Sequence, residues 1–500
     1  MKSCWPASET VAETKRERAT CALSPTRQEI FMNAQDDLAI VDQVMARARA
    51  AQKVFETGAT QERYDRAAAA AGWAIMEPDR NRSLAELAVK TTGLGNVPDK
   101  IIKNHRKTLG LMRDIAGART CGVIDDNPDT GITKIARPVG VVGAVVPSTN
   151  PAATPANNII NALKCGNAIV LSPSPKGIPS CELLLSYIYT EFDKLGLDHD
   201  LAQMIPAPGS KAKTQRMLEA ADLLVVTGSQ DNVRRAYSSG TPAVAVGAGN
   251  VTVIVDETAD PKAAAAKIAA SKCFDNATSC SSENEIVVVD AVYDDFVAAL
   301  AKEGGALVPA TEADGIISKL WPDGHLNRAV IAQDAAPMLA ALGMSDKVPP
   351  DTRFLAVETD GIGPEHPLSG EKLSRVAALY RARDFDDAQS IAARILGHMG
   401  AGHSIGLHSI DDSRAMALGA AIPTCRVIVN QAHCFATGGA FNNGMPFSLS
   451  MGCGTWGGNS IDDNLNWRHF MQTTKVIREI PPNEPKVEDI FAAYWGVAGK

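Results

Sequence analysis

At 500 residues, and about 150 residues per domain, the chain is expected to form two to four domains, each able to bury a core; a peptide hormone or a lone binding module is excluded. Hydrophobic residues make up 45% of it, yet no apolar run reaches the roughly 20 residues that a membrane-crossing helix needs. With 57 acidic against 49 basic residues, the net charge of -8 opposes attraction to phosphate backbones or anionic lipid, so neither nucleic acid nor membrane is expected as a partner.

Residues 1–31 mix Lys, Arg, Glu, Ser and Pro without an apolar stretch, and a disordered tail is expected there. Glu9 and Glu13 argue against an Arg-rich transit peptide. Met32 is a candidate start, because Leu38, Val41, Val44 and Met45 follow it at helical spacing. Residues 119–137 contain Asp125-Asp126-Asn127-Pro128-Asp129-Thr130-Gly131, turn chemistry between flanks that suit a hairpin arm.

From Pro138 onward, strands over 139–146, 168–171, 223–226 and 251–255 alternate with helices over 152–164 and 179–194. A second series follows: helix 262–270, strand 285–289, helix 292–302, strand 376–380, helix 385–396, and strands 404–408 and 427–430. Such alternation means right-handed βαβ units, so the class is α/β with open parallel sheets covered on both faces. One sheet of that many strands is improbable, and the chain is divided near Gly249. Ten cysteines without a C-x-x-C pair give no disulfide framework and no metal site; they suit reduced thiols in a cytoplasm.

Phe274-Asp275-Asn276-Ala277-Thr278-Ser279-Cys280-Ser281-Ser282-Glu283 lies between a helix and a strand. A thiol on such a loop can face a cleft with backbone N–H groups around it, as a nucleophile and its oxyanion require; the plainer reading is a small hydrophobe filling a gap. Together with Ala236-Tyr237-Ser238-Ser239-Gly240 leading to Gly247-Ala248-Gly249-Asn250, with Gly402-His403-Ser404, and with Gly452-Cys453-Gly454-Thr455-Trp456-Gly457-Gly458-Asn459, this loop resembles the CoA-acylating branch of the aldehyde dehydrogenase superfamily. The resemblance runs from about residue 39 to about residue 475. It implies that Cys280 attacks the aldehyde and that, after hydride transfer to a nicotinamide, a thioester remains on the enzyme.

Hydrolytic members of the superfamily use a glutamate of a Glu-Leu-Gly-Gly segment to activate water. Aligned on its glycines, that segment falls on Val246-Gly247-Ala248-Gly249, so Val246 stands where the base would be, and acyl transfer to coenzyme A is implied over hydrolysis. A slipped alignment, with Glu283 as the base, is the alternative. The resemblance makes Asn150, in Pro147-Ser148-Thr149-Asn150-Pro151, the oxyanion donor, although the same residue before Pro151 also reads as a helix N-cap. His403 is implied in proton transfer or CoA entry, and a packed histidine is the alternative. Glu371 matches the glutamate that holds the nicotinamide ribose.

The literal G-x-G-x-x-G at Gly452 lacks a strand–turn–helix context and is rejected as a phosphate loop. The resemblance places the pyrophosphate at Thr227-Gly228-Ser229, which opens a helix. Ser172-Pro173-Ser174-Pro175-Lys176 replaces the Lys-Pro-Ser-Glu of NAD-preferring relatives. With Pro175 in place of the acid, Ser172, Ser174 and Lys176 form the adenosine side, and NADP is expected to be accepted besides NAD.

The stretch from Asn430 to Ser448 looks most like the sulfoacetaldehyde enzymes of this branch, with His433 and Asn442 as candidates for the sulfonate site. Acetaldehyde or succinate semialdehyde is the alternative substrate. A hydrolytic enzyme and a non-catalytic scaffold or cargo relative are the alternative classes. The implied architecture is a Rossmann-like cofactor domain over 32–249, an α/β catalytic domain over 250–445, a β arm from 119–137, and a C-terminal oligomerisation segment over 446–500, in a homodimer or homotetramer.

Overall fold

A computed structural model of the chain describes residues 27–247 and 249–500, with side chains from Asp37 onward. Most of the expected tail therefore lies outside the described residues. Four helices lead the fold: α1 (Arg27–Glu56), α2 (Gln61–Met76), α3 (Pro78–Thr92) and α4 (Val97–Ile115). Their ends follow local chemistry. Thr60 and Asn96 accept from the backbone N–H groups of Arg63 and Asp99, Pro78 opens α3, and Gly93 closes it with φ 71°.

A hairpin of β1 (Gly122–Asn127) and β2 (Ile132–Pro138) follows, its turn held by the Asn127 side chain accepting from Asp129 and Thr130. Next come β3 (Val141–Val146), α5 (Ala153–Lys164), β4 (Ala168–Pro173), α6 (Ile178–Asp193), β5 (Ala202–Met204), α7 (Lys211–Ala220), β6 (Leu223–Thr227), α8 (Gln230–Tyr237) and β7 (Ala243–Val246). These strands form a parallel sheet in the order β5-β4-β3-β6-β7. All six residues of β3 and of β4 are buried, because helices cover both faces, which is why both read as continuous apolar runs. The chain winds outward from β3 to β5, then returns to the other side of β3. That reversal opens a crevice at the carboxyl ends of β3, β4 and β6.

The second parallel sheet contains β8 (Val251–Val255), β9 (Glu283–Val289), β10 (Gly305–Val308), β11 (Phe354–Glu358), β12 (Val376–Ala382), β13 (Ile405–His408) and β14 (Val427–Val429), in the order β10-β11-β12-β9-β8-β13-β14. Helix α9 (Pro261–Cys273) joins β8 to β9, and α10 (Asp290–Lys302) follows β9. Alternate residues of β9 feed different cores: Val287 and Val289 pack on one face, Ile286 and Val288 on the other. Finally β15 (Met471–Ile477) pairs antiparallel with β2, from Met471 opposite Pro138 to Ile477 opposite Ile132, completing a three-stranded sheet with β1.

The expected α/β class and parallel sheets are present. Strands β5, β7, β10 and β11 are additional to the expected ones; at only three to five residues each, they leave little periodic signal in the sequence. Among the described residues no helix is long and apolar enough to cross a membrane, and no cluster of three or more His, Cys, Asp or Glu is placed to hold a metal ion.

Candidate active site

The Cys280 loop starts where α9 stops. Asp275, Asn276 and Ala277 take φ values of 46°, 55° and 60°, a left-handed run that non-glycine residues enter only when their surroundings force it. Those surroundings are specific. The Asp275 carboxylate accepts from the Asn96 backbone N–H at 3.1 Å, Lys100 Nζ at 3.1 Å and Thr278 Oγ1 at 2.8 Å, and it pairs with Lys103. Burial works against its charge, yet Lys103 and Lys100 outweigh burial and hold its pKa below the usual carboxylate range. Asn276 accepts from Arg375 and donates to the Ala332 carbonyl at 3.2 Å. Two elements distant in sequence thus clamp the turn that presents the thiol.

Cys280 is half-buried and opens into a cleft of about 810 Å³ between the two parallel sheets. Burial, with the nearby Glu371 carboxyl second, pushes its pKa up to about 12, so the resting group is a thiol. The cleft is walled by the β3 loop from Val145 to Asn150, by Ser172, Ser174 and Pro175 after β4, by Thr227, Gly228 and Ser229 after β6, and by Glu371.

Asn150 is not the N-cap of α5. The helix begins at Ala153 without a side-chain cap, and the Asn150 side chain turns instead toward α4, where Lys103 Nζ donates to its Oδ1 at 3.0 Å. An ammonium can only donate, so the amide oxygen must face Lys103. The amide nitrogen is left with one long contact, 3.5 Å to Thr149 Oγ1, and so keeps donor capacity for a ligand.

The nucleotide end is equally specific. Ser229 caps α8 by accepting from the Asn232 N–H, which sets free N–H groups at the start of a helix beside the cleft. Ser172 Oγ is engaged with Thr214 Oγ1 at 2.9 Å, whereas Ser174 Oγ is buried without a partner, an orphaned polar atom that a bound nucleotide would satisfy. Lys176 is exposed and does not line the cleft; Lys211, Ser210 and Arg235 do, and the reading of the sequence missed them.

Three other candidates stand away from the cleft wall. His403 is buried behind the Cys280 backbone: a Cβ on Gly249 would lie 2.6 Å from the Cys280 carbonyl and 2.8 Å from His403 Cδ2, so glycine alone allows this approach. Its Nδ1 pairs with Ser404 Oγ at 2.7 Å, and that hydroxyl reaches His433 Nε2 at 2.8 Å. Burial, with Arg426 second, drives the His403 pKa down to about 3. His433 is fully buried and held neutral by desolvation, and Asn442 is exposed. Neither lines the cleft, which corrects their assignment to the substrate, and the two histidines form a neutral hydrogen-bonded brace instead. Glu283 is also buried away from the cleft; desolvation lifts it to about 7, and it accepts from the His433 N–H at 3.3 Å. Val246 ends β7, buried, and the cleft-lining carboxylates among the described residues are Asp231 and Glu371. Burial, followed by Glu285, raises Glu371 to about 8.

The wall opposite the nucleotide end comes from α4, which the reading of the sequence left without a role. Lys103, Arg106 and Lys107 all line the cleft. Lys107 donates to the Gly438 and Ser448 carbonyls, and burial lowers its pKa to about 7. The spacing of Lys100, Lys103 and Lys107 puts them on one helix face, a pattern that resembles a solvated stripe until the packing is known.

A profile described as the aldehyde dehydrogenase family matches residues 11–314. An acylating sulfoacetaldehyde dehydrogenase of Cupriavidus necator is 55% identical over 95% of this chain and 96% of its own length. Two solved structures are also similar. An acetylating aldehyde dehydrogenase from Geobacillus thermoglucosidasius is 30% identical with a TM-score of 0.86, over 91% of this chain and 99% of that one. A Rhodopseudomonas palustris propionaldehyde dehydrogenase with bound propionyl-CoA is 26% identical with a TM-score of 0.76, over 88% of this chain and 94% of that one.

Proposed function

This chain belongs to the aldehyde dehydrogenase family, and from that premise we propose that it oxidises sulfoacetaldehyde to its coenzyme A thioester, with NADP+ or NAD+ as oxidant and Cys280 as nucleophile. The observation that carries the choice of CoA over water is the set of acids at the cleft. Val246 cannot accept a proton, Asp231 sits at the nucleotide end, and burial, with Glu285 second, favours the protonated form of Glu371 at neutral pH. No strong base is in place to activate water, whereas a thiol attacks as its own thiolate.

The Cys280 thiol gives up its proton to solvent in the open cleft, its sulfur bonds to the aldehyde carbon as the carbonyl π bond opens, and the carbonyl oxygen gains the negative charge. The Asn150 amide N–H and the Cys280 backbone N–H are the donors for it. A bound oxidised nicotinamide would supply the hydride acceptor. Loss of the hydride leaves a Cys280 thioester with the oxygen again a carbonyl. The CoA thiolate then adds to the same carbon, the same donors hold the second oxyanion, and the C–S bond to Cys280 breaks to release acyl-CoA and the enzyme thiolate.

The Thr227-Gly228-Ser229 turn and the orphaned Ser174 Oγ support a nucleotide on this side, held by the unit over 32–249, while residues 250–445 carry the thiol. A negatively charged aldehyde suits the cationic α4 wall, and this favours sulfoacetaldehyde or succinate semialdehyde over acetaldehyde. Single free cysteines suit a reducing cytoplasm, and the three-stranded sheet, with β15 at its edge, suits assembly into a homodimer or homotetramer.

The test is NAD(P)H formation from sulfoacetaldehyde with and without CoA, with mass spectrometry of the product. Sulfoacetyl-CoA is expected, formed only when CoA is present. Free sulfoacetate formed at the same rate without CoA would overturn the proposal.

A further inference from the structure

Four cations of α4 approach the thiol loop, and three of them are already committed. Lys100 donates to the Thr149 carbonyl and to Asp275, Lys103 to Asp275, Asn150 and Thr278, and Lys107 to two carbonyls. The fourth, Arg106, lines the cleft, and among the described residues nothing accepts a hydrogen bond from its guanidinium and no carboxylate lies within 4.0 Å of it. Its guanidinium carbon stands 4.9 Å from the Phe435 ring centroid and 5.8 Å from that of Phe447. Phe435 in turn packs on Phe274, 4.6 Å between centroids, and Phe274 belongs to the thiol loop. The group is therefore fixed in direction by aromatic faces and stripped of part of its water, with five N–H donors unspent.

An unpaired, half-buried guanidinium is costly unless an anion reaches it. In sulfoacetaldehyde the sulfonate is two bonds from the carbon that the thiol attacks, so its counter-charge must share a compartment with Cys280. Resting on the function proposed above, we infer that Arg106 receives the sulfonate of the substrate in a two-pronged hydrogen bond and sets the preference for an anionic over a neutral short aldehyde. A planar fork matches two sulfonate oxygens.

The experiment compares the full-length enzyme with Arg106→Met and Arg106→Lys in CoA-dependent NADPH formation from sulfoacetaldehyde and from propionaldehyde. For Arg106→Met, kcat/KM for sulfoacetaldehyde is expected to fall about a hundredfold, mostly through KM, as the loss of two hydrogen bonds to a charged group implies. Propionaldehyde turnover should stay within about threefold, and Arg106→Lys should fall between. Inhibition of propionaldehyde oxidation by ethanesulfonate should vanish in Arg106→Met, a readout independent of sulfoacetaldehyde turnover. A sulfoacetaldehyde kcat/KM within threefold of wild type, or an equal loss on both aldehydes, overturns the role of Arg106 and leaves the proposed reaction standing. A wild-type enzyme that makes no sulfoacetyl-CoA removes both.

Discussion

The sharpest mechanistic prediction concerns Asn150. Its Oδ1 is occupied by Lys103 at 3.0 Å, and its Nδ2 keeps only the 3.5 Å contact to Thr149, so one N–H is free for the charge that develops on the substrate oxygen. Removing one such donor from a preorganised oxyanion site costs about 3–4 kcal/mol, or about a hundred- to a thousandfold in kcat. Asn150→Ala should show this loss in both halves of the reaction, because an oxyanion forms once when the thiol adds and again when CoA adds. Asn150→Asp should lose more, since it sets an oxygen lone pair against the developing charge, with Lys103 offsetting part of the repulsion. Stopped-flow measurement separates the halves: the NAD(P)H burst reports the first, and steady-state acyl-CoA formation the second. Lys103 also pairs with Asp275 and donates to Thr278 in the thiol loop, so combining Lys103→Met with Asn150→Ala should deepen the loss beyond that of Asn150→Ala alone. Asn150→Ala with kcat within threefold of wild type would refute the reasoning.

Three further outcomes follow from the same geometry. Gly249→Ala drives a methyl group to 2.6 Å from the Cys280 carbonyl and 2.8 Å from His403, so it should lower stability by about 1–3 kcal/mol in denaturant unfolding and cut turnover further by shifting the thiol; unchanged kinetics would contradict the close approach. His403, with its pKa lowered to about 3 by burial, is neutral at any working pH, so its proton is not gained as the pH falls through 6.5. The acid limb of the kcat/KM profile between about pH 5 and 9 should accordingly be the same in His403→Gln, and a limb near 6.5 that disappears in the variant would show that the imidazole titrates after all. NADP should be accepted besides NAD, and Ser174→Glu should shift the ratio of kcat/KM values toward NAD by about tenfold through repulsion of the 2′-phosphate; a strong wild-type preference for NAD would defeat this assignment.

What the sequence disclosed, and what it hid, divides along physical lines. Strands β3, β8 and β9 were legible because a parallel strand buried on both faces must be a continuous Val/Ile run. The three-residue β5 and the Ala-containing β7 carry too little apolar signal to rise above their surroundings. The placement of Cys280 on a loop that faces a cleft was legible because its loop motif travels as a unit. The partners that orient the loop were not, since Lys103 and Arg106 lie on a helix more than 170 residues earlier, where charged side chains at helical spacing read as a wet face. His433 and Asn442 failed in the opposite sense: a motif can bring a residue near a site without aiming its side chain there, and the fold turned one into the interior and the other outward.

Strand β15 reaches back to β2 across the chain, with Arg478 Nη1 on Thr133 Oγ1 spanning 345 positions. The same segment lodges Leu465 and Phe470 in the core of the first parallel sheet, and the Phe470 carbonyl accepts from Asn167 at 2.7 Å. During synthesis the first half must therefore wait, its hydrophobic interior short of Leu465 and Phe470 and its hairpin unpaired on one side, until residues 465–478 have left the ribosome. Final maturation of that half is tied to translation of β15 and the segment before it, so a product stopped ahead of Leu465 would be exposed to chaperones and proteases rather than persist as a nucleotide-binding fragment.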